Sequence, residues 1–81
     1  MPAKKTIQLS TFGLVIDKLR TSRGMSKKDL YSTAEISPIT LYRYEVGERL
    51  PDTTSLLKFA DIFDVSIDYL LGRTSKPDIN K

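Results

Sequence analysis

The sequence predicts an all-α protein, a compact bundle of five short helices. Three observations carry that expectation. Apolar residues recur at helical spacing, most of those segments begin at a serine or aspartate able to cap them, and most end at glycine or proline. No stretch of useful length alternates polar and apolar residues as a strand would, and no segment repeats another.

Phe12, Ile16 and Leu19, with Val15, share one face of a helix over about residues 11–22, which Gly24 ends. Ser26 caps a second helix over about 27–34, with Asp29 three residues on as its reciprocal partner. That helix turns Leu30 and Ala34 inward, and Glu35-Ile36 forms the turn after it. Ser37 caps a third helix over 38–46, where Pro38 takes the first position and its missing N–H costs nothing. Leu41 and Tyr44 lie on one face with Glu45 at its edge, while Ile39, Tyr42, Arg43 and Val46 lie on the other. Gly47 closes this helix and Pro51 forbids its continuation. Asp52 caps a fourth helix over 53–63, whose apolar positions are Leu56, Leu57, Phe59, Ala60 and Phe63. Ser66 caps a fifth over 67–71, closed by Gly72. The expected organisation is a flexible N-terminal arm at 1–10, a folded domain at 11–72, and a polar tail or linker stub at 73–81.

Composition narrows the function classes. A chain of 81 residues makes one small domain and buries only roughly 60% of its unfolded surface. It has neither cysteine nor histidine, which removes disulfides, thiolate chemistry, the usual metal ligands and the usual neutral-pH acid–base. No metal and no cofactor are expected, and no enzyme. No run of about 18 apolar residues could cross a membrane, and the N-terminus lacks a signal-like apolar run, so a cytoplasmic location is expected. The net charge is +3, but residues 1–44 hold 8 Lys/Arg against 3 Asp/Glu, whereas residues 45–81 hold 5 against 7. A basic half containing the third helix is the electrostatic footprint of a polyanion binder.

The stretch from Ser37 to Pro51 carries Tyr44, Glu45, Gly47, Arg49 and Pro51 in the spacing Tyr-Glu-x-Gly-x-Arg-x-Pro. In this it resembles the phage-repressor/Cro type (XRE-like) of helix-turn-helix protein. Phe12-Gly13, Leu19-Arg20, Gly24-Met25-Ser26, Leu30, Ile36-Ser37 and the run from Val65 to Gly72 extend the likeness over about residues 12–72. The resemblance implies a lambda-repressor-like bundle and a sequence-specific DNA-binding transcriptional regulator, by default a repressor. It also implies a bacterial or phage-encoded protein that binds a pseudo-palindromic double-stranded operator as a homodimer, with the third helix in the major groove. An antitoxin, or another protein-interaction module on the same fold, is the alternative. A further possibility is the DNA-binding part of a longer repressor.

There are three departures from the pattern. Tyr31 stands where the family has a small residue, so it must point sideways or push the helices apart. Glu35 stands where the family has glycine, so it must accept a positive φ. Lys27 replaces a frequent glutamine.

DNA recognition requires charges and amides for phosphates and shaped groups for base edges. Arg43 is the candidate base reader, since its planar fork matches guanine O6 and N7. Pro38 and Ile39 offer apolar contact to thymine methyls, and Tyr42 a phenol beside Arg43. Phosphate contact is expected from Lys27, Lys28, Thr40, Arg49, Thr53 and Thr54. Lys27 and Lys28 oppose the dipole of the second helix, a penalty that a nearby anion reverses. Arg20 and Glu45 match a family pair that forms an internal salt bridge between the first and third helices. The apolar run Val65, Ile67, Tyr69, Leu70 and Leu71 is the expected dimer surface, in part core.

Overall fold

A computed structural model describes residues 9–77. Five helices follow one another: α1 (Thr11–Ser22), α2 (Lys27–Thr33), α3 (Pro38–Val46), α4 (Thr53–Phe63) and α5 (Ile67–Leu70). There is no strand among the described residues. Bounds match the sequence expectation to within one residue.

The expected caps form. The Asp29, Thr40, Ser55 and Tyr69 N–H groups donate to Ser26, Ser37, Asp52 and Ser66, at 2.9, 3.1, 2.8 and 3.0 Å. Ser26 and Asp29 complete a reciprocal box, because the Ser26 N–H also reaches the Asp29 carboxylate. These bonds hold both acidic caps below the usual carboxylate range. The largest cause at Asp29 is the Ser26 N–H, and at Asp52 the Ser55 N–H. Their capping contribution is therefore present above the ordinary carboxylate range and fades as pH falls through the lowered values.

Four helices close in one way. A residue in left-handed conformation follows, and the next N–H reaches back five residues: Met25 to Arg20, Ile36 to Tyr31, Val65 to Ala60 and Arg73 to Asp68, at 2.9–3.1 Å. Two of the left-handed residues are not glycine: Glu35 at φ 60° and Asp64 at φ 55°. Glu35 thus adopts the expected conformation at a cost of about 1 kcal/mol. Its carboxylate sits 3.2 Å from Lys58 Nζ, an exposed pair worth little. Replacing Glu35 with glycine is expected to raise unfolding stability by about 0.5–1 kcal/mol, read from the urea midpoint. Tyr31 is half-buried and packed against the core.

The core joins Phe12, Ile16 and Leu19 of α1, Leu30 of α2, Leu41 and Tyr44 of α3, Phe59, Ala60 and Phe63 of α4, and Val65 and Leu70 around α5. Phe12, Tyr44 and Phe59 meet edge to face, with ring centroids 5.5–6.3 Å apart. Arg23, just past α1, lies over the Phe63 ring at 5.6 Å and donates to the Phe63 carbonyl, which ties it to the end of α4.

Both expected boundaries move outward. Residues 1–8 of the expected arm, with Lys4 and Lys5, lie outside the described residues, but Ser10 belongs to the domain. Its hydroxyl caps α1 by accepting the Gly13 N–H, and its own N–H donates to the Glu45 carbonyl at 2.7 Å. In the expected tail, the Ser66 N–H donates to the Pro77 carbonyl at 3.0 Å, so the chain folds back beside α5. Residues 78–81 lie outside the described residues.

Candidate nucleic-acid interface

Amphipathic α3 sets the geometry. Leu41, Tyr44 and Glu45 are buried, so the residues between them must face outward. Ile39 is 53% exposed and Tyr42 39% exposed, and Pro38 and Arg43 are also exposed. The four expected base readers therefore lie on the solvent side of α3. Arg43 is not free of partners: its Nε lies 3.9 Å from the Glu48 carboxylate in the following loop. That loop turns back on α3, with the Arg49 N–H donating to the Arg43 carbonyl at 3.2 Å. It brings Arg49 beside Arg43 in the chain path and leaves Arg49 exposed.

The expected phosphate contacts are distributed more unevenly. Lys28 is exposed at the start of α2, and Thr53 and Thr54 are exposed on the first turn of α4. Thr40 is half-buried, and its hydroxyl shares a hydrogen bond with the Ser37 hydroxyl at 2.8 Å, which makes it part of the α3 cap. Lys27 is exposed, but its ammonium lies 3.5 Å from the Glu45 carboxylate.

The expected pair of Arg20 with Glu45 does not form. Arg20 instead bonds Asp17 one turn back at 2.7 Å and the Met25 carbonyl at 2.9 Å. An acid three residues away on the same helix is already within reach of the guanidinium. Glu45 takes Lys27 as its counter-ion. Sequence reasoning missed Asp17 and Glu48. The i, i+3 spacing of Asp17 and Arg20 was a readable signal, whereas the fold of the loop that brings Glu48 to Arg43 was not.

The expected dimer surface divides. Val65 and Leu70 are core, Ile67 and Tyr69 are half-buried, and Leu71 is exposed. Between α4 and α5 lies a groove of about 360 Å³ lined by Leu57, Ala60, Val65 and Ile67, with Asp61, Ser66 and Asp68. Among the described residues no helix is long and apolar enough to cross a membrane, and no His, Cys, Asp and Glu cluster could hold a metal.

Two short helices joined by a tight turn, the second with a buried face and an exposed outward face, define an all-α helix-turn-helix protein. The helix-turn-helix family model matches residues 16–70, and the chain belongs to that family. It is 35% identical over 63 residues to the HTH-type transcriptional regulator ImmR of Bacillus subtilis (strain 168), covering 78% of this chain and 50% of that protein. It is 36% identical over 63 residues to the SPbeta prophage-derived HTH-type regulator YonR of the same organism, covering 78% of this chain and 58% of YonR. The chain thus spans about half the length of these curated relatives. Among solved structures, the restriction-modification controller protein C.AhdI from Aeromonas hydrophila matches with a TM-score of 0.66 at 27% identity, over 74% of this chain and 91% of that one. A transcriptional regulator from Listeria innocua matches with a TM-score of 0.68 at 29% identity, over 82% and 61% of the two chains.

Proposed function

We propose that this chain is a sequence-specific DNA-binding transcriptional regulator, a cytoplasmic repressor that acts by occupancy rather than turnover. The observation that carries the reading is the outward face of α3, where Pro38, Ile39, Tyr42 and Arg43 stand opposite a buried face that fixes the helix in place. A helix about 10–12 Å across fits a major groove about 12 Å wide. Arg43 supplies the bidentate fork for a guanine, and Pro38 and Ile39 supply apolar contact to thymine methyls. Lys28, Arg49, Thr53 and Thr54 supply backbone contacts, with Thr40 engaged in the cap. The relatives named as transcriptional regulators support the same reading.

One module makes few contacts, so two copies bind half-sites about 34 Å apart on a pseudo-palindromic operator. The face that brings them together is the one with exposed Leu57 and Leu71, beside the groove between α4 and α5. Selecting bound duplexes from a random DNA pool tests the proposal: enrichment of a palindromic site with guanine at a fixed position is the expected result. Arg43→Ala should then weaken binding to that site by about 1–3 kcal/mol and relax the guanine position alone. A pool that stays random after repeated rounds rules the reading out.

A further inference from the structure

Glu45 is the only buried charged side chain among the described residues, 3% exposed in the last turn of α3 and two residues beyond Arg43. A carboxylate so placed needs a counter-ion. Arg20 bonds Asp17 and the Met25 carbonyl through its two terminal nitrogens, leaves its Nε buried without a partner, and makes no ion pair with Glu45. The cation within reach is Lys27, the first residue of α2, at 3.5 Å. That contact also accounts for a lysine where it opposes the α2 dipole, because the anion it needs comes from α3. The backbone of the same glutamate holds another element, since its carbonyl accepts both the N–H and the hydroxyl of Ser10. Glu45 therefore links the entrance of α1, the entrance of α2 and the end of α3.

We infer that Lys27 is a positioning residue: it neutralises Glu45 across the turn and so sets the seating of α3 against α2, instead of binding a DNA phosphate. The inference rests on the reading of α3 as the groove helix. Lys27 keeps 58% of its side chain exposed, so its stem spans from solvent to a buried acid. Without that charge the acid end of α3 moves toward water. The reading groups of the same turns, Tyr42 and Arg43, move with it. A phosphate ligand would act differently, adding the same increment to every DNA sequence.

The test compares Lys27→Gln, Lys27→Arg, Glu45→Gln, the Lys27→Gln/Glu45→Gln double variant and Lys28→Gln in the full chain. The probes are a duplex selected by the wild-type protein and a scrambled duplex of equal length and composition. Lys27→Gln is expected to lower Tm by about 4 °C or more, a loss that largely vanishes in the Glu45→Gln background and that Lys27→Arg restores. It should also reduce the ratio of selected to scrambled affinity about tenfold while the salt slope holds. Lys28→Gln should keep the ratio and flatten the slope by about 0.9 per protomer. Equal weakening of both duplexes by Lys27→Gln, with a flattened slope, overturns the inference, as do additive Tm losses in the double variant. A wild-type protein that selects no duplex overturns the DNA-binding reading and the positioning role with it, while the Tm cycle separately decides whether the pair exists.

Discussion

Alanine at Gly13 is expected to destabilise the domain by about 2–3 kcal/mol, even though helix propensity alone favours alanine over glycine by about 1 kcal/mol. The cause is a backbone collision. A methyl carbon at this position would overlap the carbonyl oxygen of Glu45 and lie 2.8 Å from its carbonyl carbon and 2.9 Å from its Cα. None of these atoms belongs to a flexible side chain, so relief requires moving α1 off the end of α3. The same junction holds the bonds from Ser10 to the Tyr44 and Glu45 carbonyls, at 2.7–3.1 Å, and these would lengthen together. Thermal and urea unfolding check the prediction: Tm should fall by roughly 10 °C, and an unchanged or raised midpoint would refute the close approach. Operator affinity at a temperature where the variant is folded should fall as well, because α3 is the element displaced.

That junction marks where sequence reasoning stops. Ser26, Ser37, Asp52 and Ser66 were legible as caps because each precedes a periodic apolar segment and bonds an N–H three residues on. Ser10 makes the same local bond to Gly13, but what fixes it is contact with residues 34 and 35 positions away, which no spacing rule encodes. The helix ends divide in the same way. Gly24 and Gly72 announce left-handed closures, and at Glu35 only the departure from a family glycine pointed to one. Asp64 gave no such signal, although aspartate tolerates that conformation better than most residues. The faces of α3 followed from periodicity alone, because burying Leu41 and Tyr44 forces Tyr42 and Arg43 outward. Charge pairing did not follow. Arg20, Glu45, Lys27 and Arg43 each had several acids or bases within plausible reach. The choice among them depends on the angle between helices and on side-chain rotamers, which sequence spacing leaves open.

Affinity for the selected duplex is expected to fall about a hundredfold between 50 and 200 mM salt. In a dimer, Lys28 and Arg49 of both copies neutralise about four phosphates, and each phosphate neutralised adds about 0.9 to the slope of log affinity against log salt. A fourfold rise in salt then removes about two orders of magnitude. Thr53 and Thr54 position the duplex without releasing counter-ions, so their removal should weaken binding and leave the slope alone. Lys27, held by Glu45, is excluded from the count. The Glu48 carboxylate near Arg43 sharpens the expectation. It repels phosphate at the same edge, so Glu48→Gln should steepen the slope and raise affinity for scrambled DNA more than for the selected site. Fluorescence anisotropy on both duplexes across that salt range reads all of these at once. A response flat to salt would mean that the basic surface around α3 does not meet the DNA backbone, and the groove-binding role of α3 would fall with it.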